Sequence, residues 1–211
     1  LSAFNIYKFT EKTYNKKNYN LVSKYFSQVL ILGPGNELNK IKINLEKKIK
    51  TTKTLVISLN NSKQFDNELI NIRAICHPMR IHSNLNYLKH YRGPLLVPYS
   101  CLSPKIRKIF KNKIIIDYGI FINKKTIINK EYISLNSPLA LIYSIGYLIS
   151  KGFKKIYLAG FDGYLKDVPD QDSTQELLND ISKKYKTKNI SFASLTKTKL
   201  NLRFANIKEL K

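Results

Sequence analysis

The sequence predicts an α/β fold: a Rossmann-like open, mostly parallel sheet with helices on both faces. Three observations predict it. Short, continuous apolar runs such as Gln28-Val-Leu-Ile-Leu32 and Thr54-Leu-Val-Ile-Ser-Leu59 mark strands buried on both faces. Segments with helical spacing separate these runs, the alternation that lays helices over a parallel sheet. Several runs also stop on Gly or Asn, which lets the chain turn at the strand ends.

Taken in order, residues 1–27 are polar and rich in Asn and Tyr over Tyr7 to Phe26. They read as a helical leader or the tail of a preceding domain. Residues 28–202 carry the globular pattern. The first strand, Gln28 to Leu32, leads through Gly33-Pro-Gly35 into a helix reaching about Lys50, and Thr54 to Leu59 is the second strand. Asn71 to Cys76, Pro94 to Pro98 and Lys113 to Asp117 are three further short runs bounded by breakers. Ser137 to Ser150 has helical spacing, with Asn136 or Ser137 as expected N-cap, Pro138 in the first turn and Gly152 ending it. Lys155 to Ala159 is the next strand, Thr174 to Tyr185 a helix and Asn189 to Ala193 the last strand. Residues 203–211 are expected to be a C-terminal tail.

The 211 residues suffice for one large domain with a real core. No stretch approaches the roughly 20 apolar residues that cross a bilayer. The chain begins at Leu1 rather than Met, which reads as a domain cut from a longer polypeptide. Cys76 and Cys101 have no metal-ligand spacing, and so sparse a pair suits a reducing cytoplasm. The formal charge of +23 points first to nucleic acid. Lysine, however, supplies 32 of the 37 basic residues, and Ile (27) and Asn (21) are over-used with it. AT-rich codons encode all three, so the charge reads largely as codon bias, with no specific nucleic-acid partner and at most peripheral contact with an anionic membrane.

The residues that carry chemistry lie at the strand ends. Gly33, Pro34 and Gly35 open a helix, whose N–H groups and partial positive charge suit a phosphate; an ordinary tight turn has the same sequence. Asn60 and Asn61 end the second strand beside that loop, and read either as base- or ribose-reading amides or as caps. His77, His82 and His90 alternate with Arg73, Arg80 and Arg92, but no Cys or carboxylate stands at ligand spacing, so neither a metal nor a cofactor is expected. His77 and Arg80 are candidates to face an anionic substrate from a loop, and Asp117 is either a pocket wall or a turn. The most informative stretch is Lys155-Ile-Tyr-Leu-Ala-Gly-Phe-Asp-Gly-Tyr164. There a strand breaks at Gly160 and presents Asp162 and Tyr164, where open parallel sheets bind ligands. The alternative is that Asp162 caps the following helix.

These pieces in this order resemble the Campylobacter-type bacterial sialyltransferases that use cytidine-monophosphate (CMP) sugars. They also resemble a wider set of Rossmann-like domains that includes a relative of the archaeal pterin pyrophosphokinase. Cys76-His-Pro78, Ala159-Gly-Phe-Asp-Gly-Tyr164 and Ser194-Leu-Thr-Lys-Thr198 are more similar still to a domain attached behind pyruvate-type (HMG-lyase-like) aldolases in surface-polysaccharide clusters. The resemblance covers about Gln28 to Leu202. It implies a glycine loop at Gly33 and Gly35, a nucleotide-reading amide at Asn60, a serine near the nucleotide at Ser137 and a phosphate-binding phenol at Tyr164. It implies a CMP-sugar donor and a glycan acceptor as partners, with a possible covalent fusion to an aldolase. The sialyltransferases also have a histidine downstream of that tyrosine as general base, whereas no histidine here follows His90. Asp162, Asp167, Asp170 or His77 would take its role, or the domain binds without catalysing.

Overall fold

The computed structural model describes residues 25–163 and 170–211. The expected leader falls mainly on residues 1–24, outside the described residues, and so do Tyr164 and Asp167. In chain order the elements are β1 (Gln28–Leu32), α1 (Glu37–Lys50), β2 (Thr54–Leu59), β3 (Ile72–Ala74), α2 (Pro78–Ser83) and α3 (Leu85–His90). Then come β4 (Leu95–Val97), α4 (Pro104–Ile109), β5 (Ile115–Asp117), β6 (Gly119–Ile122), β7 (Ile127–Ile128) and β8 (Tyr132–Leu135). The chain ends with α5 (Ala140–Ser150), β9 (Lys155–Ala159), α6 (Asp170–Lys184), β10 (Ser191–Ser194) and β11 (Arg203–Phe204).

Eight strands form one sheet in the order β11-β10-β9-β1-β2-β3-β4-β5, and every neighbouring pair is parallel. The fold is therefore the open α/β sheet that the apolar runs imply. Alternation along the strands explains the covering layers. Val29, Ile31, Leu55 and Ile57 face one side with Ile142, Ile145 and Tyr147 of α5 and Leu177, Leu178 and Ile181 of α6. Leu30, Leu32 and Val56 face the other, under Leu38, Leu45 and Ile49 of α1. Farther along that second face, Ile75, Leu95 and Val97 lie under Ile81, Leu88 and Ile106 of α2, α3 and α4.

A polar seam divides these two clusters. The crossover from β2 to β3 has only a short 3-10 turn, Asn67–Leu69, where a helix would normally cover the sheet. Arg73 fills the gap and is 0% exposed. Its guanidinium donates to Ser58 Oγ (3.3 Å), the carbonyls of Asn60 (2.9 Å) and Ser62 (3.0 Å), and Asn67 Oδ1 (3.1 Å). It also lies 5.3 Å and 5.1 Å from the ring centroids of Tyr87 and Tyr91.

Several expectations are corrected. Leu139, not Asn136 or Ser137, is the N-cap of α5: the Leu139 N–H folds back to Ser137 O at 2.9 Å, which delays the first helical turn. α6 starts at Asp170 instead of Thr174, and the strand expected at Asn189 to Ala193 is shifted to Ser191–Ser194, because Asn189 takes a left-handed φ of 54°. Residues 119–135 form a separate three-stranded sheet, β6-β8-β7, that the sequence did not announce. Residues 203–211 do not hang free: β11 joins the main sheet, Ala205 and Leu210 are buried, and Gln28 Nε2 donates to Lys211 O at 3.1 Å.

Candidate functional site

The order of the sheet selects the place. The chain moves outward from β1 to β5 on one side, then returns through α5 to β9 on the other side of β1. Strand order thus reverses between β1 and β9, the topological switch point at which open α/β sheets hold ligands.

At that point the two strand ends are stapled together. Gly33 N donates to Ala159 O and Gly35 N to Gly160 O, both at 2.8 Å. A Cβ on Gly33 would lie 2.4 Å from Gly160 O, so only glycine permits this approach. Gly160 has φ of 76° and Gly163 of 100°, the left-handed turn that swings the chain back over the first loop. Gly160 N in turn donates to Thr196 Oγ1 at 3.0 Å, which ties in the loop after β10.

The turn delivers Asp162 to the start of α1. Its Oδ2 accepts the backbone N–H of Glu37 at 2.9 Å, and no side chain of α1's own N-cap residue, Asn36, does so. A carboxylate at a helix N-terminus is favoured by the unpaired N–H groups and the macrodipole. Asp162 thus stands where the sequence reading put a ligand phosphate, and the helix it caps is α1, not the one that follows it. Its Oδ1 is buried without a hydrogen-bond partner. From the opposite side Gln64 Nε2 donates to Pro34 O (3.0 Å) and Gly35 O (3.3 Å). The Gly-Pro-Gly loop is therefore clamped at both its amide and its carbonyl side.

Next along the rim, Asn60 adopts φ of 54°, with its N–H on Ala74 O at 2.8 Å and its carbonyl held by Arg73. Its Oδ1 is buried without a partner, while Asn61 is exposed. Beyond β3, Cys76 Sγ donates to Pro138 O at 3.3 Å, joining this rim to the start of α5. Half-buried His77 and Ser137 flank that contact in sequence. The N-cap residue of α5, Leu139, has no side-chain cap hydrogen bond. His77 Nδ1 accepts Met79 N at 3.2 Å, so this imidazole is the N-cap of α2.

The fold thus gathers Gly33, Pro34, Gly35, Gly160 and Asp162 into one cluster, with Asn60 beside it and His77 and Ser137 one strand farther. It does not gather Arg80 or Asp117. Arg80 is exposed in the last turn of α2. Asp117 ends β5, the outermost strand, and both its oxygens accept Ser100 N at 3.2 Å, with the Ser100 hydroxyl donating as well. Burial raises its pKa above the ordinary carboxylate value, against the pull of those hydrogen bonds. Gln64, Arg73 and Thr196 are structural members of the rim that sequence reasoning did not single out for it. The one available signal was an arginine inside an apolar strand run. Among the described residues, no three of His, Cys, Asp and Glu come together.

No protein-family model matches the chain, and no characterised protein or solved structure matches it either. The functional reading rests on the rim itself.

Proposed function

We propose that the chain is a nucleotide-sugar-binding domain of glycosyltransferase-like kind, with a CMP-activated 2-keto sugar acid as donor and a glycan as acceptor, in envelope polysaccharide synthesis. The observation that carries this reading is the reversal of strand order between β1 and β9, with Gly33, Gly35, Gly160 and Asn60 at the strand ends there. Because Asp162 already caps α1, the donor phosphate is better matched to the N-terminus of α5 beside Ser137, where the N-cap residue Leu139 has no polar side chain to offer. The base or ribose then lies toward Asn60, whose Oδ1 lacks a partner. The two buried free thiols suit a reducing cytoplasm.

A second reading has its own support. Asp162, Asp117 and His77 each hold local structure: a cap on α1, a tie to Ser100 and a cap on α2. Side chains so engaged favour a binding module without catalysis, of the sort fused to a pyruvate-type aldolase. The pyrophosphokinase alternative has no such observation behind it.

Calorimetry with CMP, UMP and AMP tests the site. CMP is expected to bind in preference, and Ser137→Ala and Asn60→Ala each to weaken it about tenfold, the worth of one hydrogen bond to a charged or buried group. If none of the three nucleotides binds at millimolar concentration, the donor reading fails. If CMP binds but Tyr164→Phe leaves transfer from a CMP-sugar unchanged, the phosphate-binding role of that phenol fails.

A further inference from the structure

From Leu69 to Ile116 the sequence contains nine Lys or Arg and no Asp or Glu. The fold makes this one surface. The stretch builds β3, α2, α3, β4, α4 and most of β5, and the three helices pack side by side on one face of the sheet over Ile75, Leu95 and Val97. Of the nine cations, Arg80, Lys89, Arg92, Lys105, Lys108 and Lys111 are exposed on this layer. None takes part in the ion pairs found among the described residues. The acids that bound the stretch leave the six exposed cations without an ion pair among the described residues: Asp117 hydrogen-bonds Ser100 and is near Arg107, which is not among the six, and Glu68 sits in the loop at the seam. Part of this charge complements helix C-termini, as at Lys89 and Lys108, but Lys105 lies in the first turn of α4, where the helix dipole does not favour a cation.

We propose that the outer surface of α2, α3 and α4 is an electrostatic docking face for an anionic lipid bilayer. The charge alone would suit any polyanion, and two features choose the bilayer. The aromatic rings of this layer are turned inward. Tyr87 and Tyr91 stack with centroids 6.0 Å apart and flank Arg73, and Tyr99 packs edge-on to Phe110. They offer no stacking platform to bases. Of the large apolar side chains of the three helices, Met79 faces outward, 64% exposed and adjacent to Arg80, and Ile114, just before β5, is exposed as well. A solvent-facing apolar group among cations is the composition of a surface that settles into the headgroup region. The face is independent of the nucleotide reading, and it adjoins the rim through His77 at the start of α2.

The test is co-sedimentation of the protein with vesicles of phosphatidylcholine alone and of phosphatidylcholine mixed with phosphatidylglycerol. Wild type is expected to bind only the mixed vesicles and to be released by salt. Lys105→Glu/Lys108→Glu/Lys111→Glu is expected to lower the partition coefficient by more than about a hundredfold, since each lost cation near an anionic surface costs about fivefold and the new carboxylates add repulsion. Lys124→Glu/Lys125→Glu/Lys183→Glu makes the same change in net charge at exposed positions outside this layer, and is expected to cost far less. Equal losses in the two variants would overturn the proposal, because net charge alone would then explain binding. So would a variant that loses affinity for a single-stranded oligonucleotide while keeping its affinity for the vesicles. Circular dichroism must match wild type. If charge reversal disturbs the fold, Lys105→Gln/Lys108→Gln/Lys111→Gln applies the same comparison with a smaller expected drop.

Discussion

The carboxylate of Asp162 caps the helix that Glu37 begins, across 125 residues of sequence, with Oδ2 2.9 Å from the Glu37 amide nitrogen. This contact, together with Gly35 N on Gly160 O, fastens the loop after β9 to the loop after β1.

Loss of that cap should be measurable. Asp162→Ala removes a charged acceptor from a helix N-terminus and should destabilise by about 1–2 kcal/mol in urea titration. Gly35→Ala attacks the same contact from the other side, since its Cβ would meet Asp162 Oδ1 at 2.4 Å and Gly160 O at 2.6 Å. It should cost about 1–3 kcal/mol. In the double variant the two losses should not add, because once Asp162 is gone part of the clash is gone. Strict additivity would show that the loops are not coupled through this carboxylate.

Arg73 should be needed for the fold out of proportion to its lack of an ionic partner. Arg73→Met leaves Ser58, Asn60, Ser62 and Asn67 without their donor in a buried seam. A loss of about 3–5 kcal/mol is expected, or roughly 10 °C in midpoint for a domain of this size. Arg73→Lys keeps the charge but not the fork and should fall between. A thermal scan showing Arg73→Met as stable as wild type would reduce the guanidinium to a space filler.

Alkali should weaken the fold through its thiols. Burial pushes Cys101 up to about 11 from an ordinary 9.0, and raises Cys76 further in the same direction. A raised folded-state pKa means that the stabilisation is complete below pH 9 and declines as pH climbs toward 11. Each such thiol contributes a slope of about 1.4 kcal/mol per pH unit within that window. Cys101→Ala should flatten the decline relative to wild type when stability is followed from pH 8 to 11. Unchanged curvature would show that the thiol ionises equally in both states.

The parts legible in the sequence are those whose causes are local. β1, β2 and β9 lie where the apolar runs put them, and α1 runs to Lys50, because strands buried on both faces leave an uninterrupted apolar signature. The helices α2 and α4 each carry a local opening signal in the sequence. His77-Pro78 and Ser103-Pro104 each place proline at the first helical position, a common opening for a helix. β7, with two residues, is too short to show a period. The site was legible as a location and not as a set of contacts. Glycines at strand ends announce a rim, but nothing near Glu37 says that its amide is met by Asp162, and nothing near Gln28 says that it reaches Lys211.

The placement of β9 beside β1 also governs the order in which the molecule can be completed. Val29 to Leu32 pair with Ile156 to Ala159, so during synthesis one side of a fully apolar strand has no neighbour until some 120 further residues have been made. Over that interval β1 to β5 present an open hydrophobic edge of the kind that invites intermolecular pairing. The closing step is a long-range one, and long-range pairing is slow. A ribosome paused before Lys155 would hold a half-sheet with β1 uncovered, which makes the arrival of a single five-residue strand the step that closes the edge of β1.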